Sequence, residues 1–221
     1  MVGSRVVAII DPGPDVEHHV RAVVREAQGA QRAMVLLTHG HPDHAGAAEA
    51  VASALGAPVL GVMYGTGSVL ADGDAVETDH GVLVAIETPG HSKPHLSFHW
   101  PDARAVFPGD LVLGEGDTTW VGEYPGCVAD YLTSLARLRD LAPDVMYPTH
   151  GPSIEDVPGT LDAYEAHRHG RISQVERIVS SRPDATPAEI LGSVYGDMIP
   201  DGLRGAVLDS VEALMHHVSQ S

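Results

Sequence analysis

Three histidines and an aspartate fall within one short stretch, THGHPDH at 38–44, between the apolar run MVLL and an alanine-rich stretch of helical pattern. Neutral imidazole ligates zinc well, and a carboxylate beside it supplies the charge that a second divalent ion needs. In an extended segment alternate side chains share a face. That predicts that His39, His41 and Asp43 project together while His44 turns the other way at the mouth of the next helix. Such a motif begins two metal sites and completes neither. Further ligands are offered by TPGHS with His91, FPGD with Asp110 and YPTHG with His150. Each follows an apolar run of strand length and sits beside Gly or Pro, where a tight turn delivers a side chain to a shared rim. A structural zinc site favours four closed ligands, often thiolates, whereas this larger set leaves coordination open for water and points to chemistry.

Other candidates carry weaker signals. His18, His19, His216 and His217 occur as pairs on helical patterns and read as solvated faces, and His80 and His99 are equally weak candidates. His95 either supports His91 from behind or is a strand-face histidine. Lys93, the only lysine, either meets an anionic group of a substrate or is an exposed loop residue. Arg168 and Arg171 share a helix face with Tyr164, which is either a substrate-facing patch or a solvated one. Cys127 reads as a small packed residue.

The elements that must position these residues are legible as runs and caps. RVVAII, AMVLL, PVLGVM, GVLVAIE, HLSFHW, ARAVF and DVMYP read as strands. Helical patterns cover 15–28, 44–55 with Gly56 as its stop, and 130–141. Strands interleaved with helices predict an α/β layered domain over 1–157. The remainder, 158–221, carries only helical signals: a long segment to about Ser181, a helix opened by the capping box Thr186-Pro187-Ala188-Glu189, and a last helix over 203–218.

Composition narrows the function. Only 5% of residues are aromatic, so the core must be built from aliphatic side chains. A net charge of −17 repels polyanions and disfavours nucleic acid, barring a local basic patch. One cysteine precludes an internal disulfide and fits a reducing compartment, so the expected localisation is cytoplasmic. The run VVAII is too short for a signal-peptide core, and no segment approaches the ~20 apolar residues of a membrane span.

Taken together and in this order, THGHPDH, TPGHS, FPGD and PTHGP resemble the ligand motifs of metallo-β-lactamase-fold hydrolases. IDPGP at 10–14, GEYPGCVADYLTSLARL at 122–138, and Tyr164, His167, Arg168, Arg171 and Gln174 extend the resemblance to the β-lactamase-like protein 2 subgroup, which carries a helical, winged-helix-like C-terminal extension. The resemblance implies an αββα sandwich with His39, His41 and His91 on one metal, Asp43, His44 and His150 on a second, and Asp110 bridging. It also marks departures: only nine residues precede Ile10, where relatives have one or two strands, HSKPH follows the histidine turn, and no wing hairpin follows the last helix.

The resemblance further implies a zinc-dependent hydrolase whose metal-bridged hydroxide attacks a small ester, thioester or lactone, with Asp43 orienting the nucleophile. Iron or manganese could replace zinc. Two alternatives stand beside it. One is a single-strand-specific endoribonuclease. The other is an iron-dependent, persulfide dioxygenase-like oxidoreductase, or a metal-binding module without turnover. The expected partner is a small-molecule substrate, with no membrane and with a homodimer as a further expectation.

Overall fold

The computed structural model describes residues 1–62, 65, 67–196 and 199–220; Met63, which ends the predicted strand PVLGVM, lies outside them. The first sheet is parallel, with strand order β1 (Val6–Ile10), β2 (Arg32–Leu37), β3 (Val59–Gly61), β4 (Ser68–Val69). Parallel neighbours need crossovers; α1 (Glu17–Ala27) provides the one from β1 to β2, and the pair α2 (Pro42–Ala45) and α3 (Ala48–Leu55) the one from β2 to β3. β2 is buried from Met34 onward because layers cover both its faces, which explains its unbroken apolar run. At the outer edge Val2 folds back and exchanges two backbone hydrogen bonds with Ala8, at 2.9 and 2.8 Å.

The second sheet has the order β5 (Ala75–Thr78), β6 (Gly81–Glu87), β7 (Leu96–Trp100), β8 (Ala105–Phe107), β9 (Val145–Met146). Only β8 and β9 pair in parallel, joined through α4 (Cys127–Asp140). Since β7 runs against both β6 and β8, strands β6, β8 and β9 point the same way. The turns that follow them therefore open on one rim of the sandwich. The first sheet's β2 meets that rim as well, since Leu96 N–H donates to the Thr38 carbonyl at 2.7 Å.

Two apolar clusters give the αββα layering. The first joins α1 and α3 through the parallel sheet to Leu83, Ala85, Leu96 and Phe98 of the second sheet. The second lies on the other side of that sheet, where Val106 and Met146 meet Tyr131, Leu135 and Leu138 of α4. It continues without a break into α5 (Val157–Ser181), α6 (Pro187–Tyr195) and α7 (Arg204–Gln220), through Leu161, Tyr164, Val175, Ile190, Leu191, Val211 and Leu214. Fully buried leucines such as Leu135 and Leu161 each contribute roughly 1.5–3 kcal/mol relative to exposure. The C-terminal helices thus share a core with α4.

Several sequence expectations are refined. The helix predicted over 44–55 begins earlier and divides at Gly46–Ala47, because the loop after β1 is stitched into the break: Gly13 N–H donates to His44 O at 3.0 Å and Ala47 N–H to Gly13 O at 2.8 Å. Its stop is as expected, with Gly56 left-handed at φ 61°. Thr186 and Glu189 form the predicted reciprocal cap. No helix among the described residues is long and apolar enough to cross a membrane.

Candidate metal centre

The rim gathers the sequence-predicted ligands into two groups. His39 Nε2 and His91 Nε2 lie 3.0 and 3.1 Å from His41 Nδ1. A single N–H on His41 can serve only one neighbour, so three ring nitrogens facing one point leave lone pairs unpaired. Nitrogens bound tetrahedrally at zinc would stand ~3.4 Å apart, close to the spacing seen.

Outer partners fix which nitrogen faces inward. Thr38 Oγ1 donates to Asp11 Oδ2 at 2.6 Å and so accepts from His39 Nδ1 at 3.0 Å. His91 Nδ1 donates to the Trp120 carbonyl at 3.0 Å. In each ring Nε2 is left as the inward lone pair, the arrangement that metal-ligating histidines need. Burial drives His39 below the ordinary imidazole range, reinforced by the neighbouring rings His95, His44, His91 and His41. Burial also takes His91 to about 4, against the pull of Asp110. Both are therefore neutral, as ligands must be.

Asp43, His44 and His150 form the second group. Here the alternation read from the sequence is corrected: Asp43 does not side with His39 and His41. The chain is extended only to His41 and turns helical at Pro42, so Asp43 and His44 project together from the first turn of α2. His150 Nε2 lies 3.3 Å from Asp43 Oδ2. Asp43 and His150 are half exposed and form the open side of the centre, while His44 is fully buried.

Asp110 sits between the groups, its Oδ2 3.3 Å from His44 Nε2, 3.6 Å from His150 Nε2 and 3.8 Å from His91 Nε2. Burial alone would raise its pKa, but the His44 contact and the charges of His44, His91 and His150 hold it below the ordinary value. His44 moves the other way: burial pushes it down, yet the contacts with Asp11 and Asp110 outweigh that and lift it to about 10. His44 Nε2 and Asp110 Oδ1 are both buried without a hydrogen-bond partner. Unsatisfied polar atoms at this depth are costly, and divalent ions at the two foci would satisfy them. The donor set, imidazoles and carboxylates without thiolate, fits such ions.

Two residues escaped the sequence reading. Asp11 accepts from Thr38 N at 2.8 Å and meets His44 Nδ1 at 2.9 Å, so it both builds the rim and orients His44. Glu123 places Oε1 3.7 Å from His41 Nε2, on the side away from the other rings. IDPGP and GEYPG were visible signals, but neither reveals which ring its acid supports.

The remaining candidates fall away from the ligand groups. His95 is buried behind His39 and His91, with Nδ1 2.9 Å from Thr88 Oγ1. Lys93 Nζ pairs with Asp130 at 3.3 Å and lies over the Tyr124 ring. Arg171 stacks on Tyr195 and donates to Gln174 at 3.0 Å. Arg168 corrects the expectation of a substrate-facing or solvated residue: it is 4% exposed, because α5 packs that face onto α4 and the loop before it. His19 is not merely solvated, since its Nε2 meets the Pro12 carbonyl at 2.7 Å. Cys127 is buried as expected.

Comparison with known proteins agrees with this arrangement. The model described as Metallo-beta-lactamase superfamily matches residues 1–68 and 64–150. A Beta-lactamase-like protein 2 homolog of Caenorhabditis elegans is 29% identical, over 94% of this chain and 72% of its own. An Atrochrysone carboxyl ACP thioesterase of Aspergillus fumigatus is 28% identical over 91% of this chain, which spans 49% of that longer protein. The crystal structure of a metallo-beta-lactamase family protein from Thermus thermophilus superposes with a TM-score of 0.79 at 22% identity, covering 99% of this chain and 86% of that one, a likeness of fold.

Proposed function

The chain belongs to the metallo-beta-lactamase superfamily, and from that premise we propose that it is a binuclear, zinc-dependent hydrolase of a small ester, thioester or lactone. The observation that carries this reading is the meeting of two ligand groups on Asp110, with His44 Nε2 and Asp110 Oδ1 buried and unpaired between them. His39, His41 and His91 would hold one ion, Asp43, His44 and His150 the other, and Asp110 both. Ions bound there supply Lewis acidity to an acyl oxygen and bring water's pKa towards neutrality.

The chain's own groups do the rest. Asp43, half exposed on the open side, accepts a hydrogen bond from the attacking water and orients it. The neutral rings of His39 and His91 leave their Nε2 lone pairs free for coordination. Asp11 and the Trp120 carbonyl keep the rings of His44 and His91 from turning.

A thioesterase among the relatives supports the acyl class. The endoribonuclease reading finds less support in the surroundings. A cleft of about 380 Å³, which reaches His41 only through Glu123 and Trp120, is lined by Glu123, Asp209 and Glu212 together with Trp120, Tyr124 and His216, and by no lysine or arginine among the described residues. Arg168 is buried and Arg171 is stacked on Tyr195, which leaves the exposed Lys93, already paired with Asp130, as the one of the three candidates at the surface, too little for a groove that tracks phosphates.

The test compares zinc-loaded protein on matched thioester and single-stranded RNA substrates, with Asp110→Ala as the blank. The expected result is thioester turnover that the variant loses together with bound metal. RNA cleavage without thioester turnover, or full activity in Asp110→Ala, contradicts the reading.

A further inference from the structure

The long loop between β8 and α4 carries both Asp110 and the carbonyl that orients His91, and it contains no helix or strand of its own from Asp110 to Gly126. Backbone without a ladder must be held by other groups. Helix α5 holds it at two points one helical turn apart. Tyr164 Oη donates to Leu113 O at 3.1 Å and accepts from Leu113 N at 3.0 Å, three residues past Asp110. Arg168, four residues along the same face, donates from Nη2 to Thr119 O at 3.2 Å. The next residue is Trp120, whose carbonyl accepts from His91 Nδ1, while Thr119 Oγ1 lies 3.3 Å from that same nitrogen.

Arg168 is an unusual group to find here. Its side chain is buried with Nε unpaired, its guanidinium lies 5.1 Å from the Tyr131 ring, and no carboxylate among the described residues forms an ion pair with it. A buried cation with no counter-ion among the described residues is expensive, and an apolar side chain would fill the space at lower cost. Packing alone therefore gives no reason for an arginine. The acceptor it has among the described residues does: the guanidinium donates to the Thr119 carbonyl, adjacent to the peptide that sets the tautomer of a metal ligand.

We propose that Arg168 is a positioning residue of the metal centre, which clamps Thr119 and Trp120 so that His91 presents Nε2 to the ion it shares with His39 and His41. The proposal rests on the metal reading above and assigns a task to the C-terminal helices: α5 sets the geometry of one half of the centre. The other half is braced from elsewhere, since His44 leans on Asp11 and α2. Losing the clamp should therefore loosen one ion and spare the other.

The experiment is a chelator competition on the full zinc-loaded chain, which resolves the two dissociation steps in wild type, His91→Ala, His150→Ala and Arg168→Met. Arg168→Met is expected to weaken the ion that His91→Ala loses by about 10–100-fold, the range for outer partners of metal ligands. The ion lost in His150→Ala should keep its wild-type affinity. If both ions stay as in wild type, or both weaken in step, the proposal is overturned and Arg168 is a packing residue. Should Arg168→Met fail to fold, Arg168→Lys keeps the charge without the planar fork; a selective weakening of the same ion supports the proposal, and an unchanged affinity overturns it. A wild-type chain that binds no ion would instead remove the metal reading itself.

Discussion

Asp11 shows how much one side chain can settle. It holds a left-handed backbone at φ 44° and gathers Thr38 N, Thr38 Oγ1, His44 Nδ1 and Thr149 Oγ1 around one carboxylate. Its partners lie 27 to 138 positions away, which is why IDPGP could be noticed in the sequence while its task could not. The histidines were legible for the opposite reason: their types and spacing are the chemistry, whatever the fold. One consequence concerns protons. In the metal-free protein His44 titrates at about 10, lifted by Asp11 and Asp110 against burial. A group raised in this way stabilises the fold fully below the ordinary imidazole value of ~6.5 and loses that contribution as pH rises through its folded value, about 10. Ligation at Nε2 must expel that proton, so zinc uptake near pH 8 should release about one proton per chain from this residue. Asp11→Asn should reduce the release, because the amide can no longer hold His44 cationic. The measurement is zinc titration in dilute indicator buffer, and equal release from both proteins would count against the assignment.

At the scale of elements, the convergence of five turns follows from strand direction. β6, β8 and β9 run together with β7 reversed among them, so TPGH, PGD and YPTH open on the same rim. The longer strands, β1, β2, β6 and β7, announced themselves by apolar runs; β4 is two exposed residues and β5 the mixed AVET, neither of which carries a period to read. The turn into helix at Pro42 that moves Asp43 to the second group was hidden because the sequence pattern starts the helix two residues later, at His44, and the break that follows at Gly46–Ala47 depends on Gly13, a residue of another loop. Gly90, next to His91, is one place where the first group is open to disturbance. It sits at φ 141° directly against the backbone of Tyr131 in α4, so an added Cβ has no room, and Ser134 ties the same turn by donating to Pro89 O at 2.7 Å. Gly90→Ala should cost about 1–3 kcal/mol by overpacking and weaken the ion assigned to His91. Urea unfolding with metal analysis checks both, and an unchanged midpoint would show that the turn yields more easily than its contacts imply.

Across the whole molecule, one core spans the boundary that the change to purely helical signals placed after 157, since Tyr164, Val175, Ile190 and Leu214 pack with Tyr131 and Leu138. The change from mixed to purely helical signals was readable, but helical periodicity says only that a face is apolar, never which neighbour covers it. That is why Arg168 could be placed on a face with Tyr164 and not in the interior. The charge of −17 was readable too, and the cleft lined by Glu123, Asp209 and Glu212 carries the same sign. All of this turns on paired ions at the rim. The most direct measurement is anomalous diffraction at the zinc edge from crystals of the zinc-loaded chain. Two peaks are expected, one within ~2.1 Å of ring nitrogens of His39, His41 and His91, the other equally close to Asp43, His44 and His150. A single peak, or density away from Asp110, would contradict a binuclear centre.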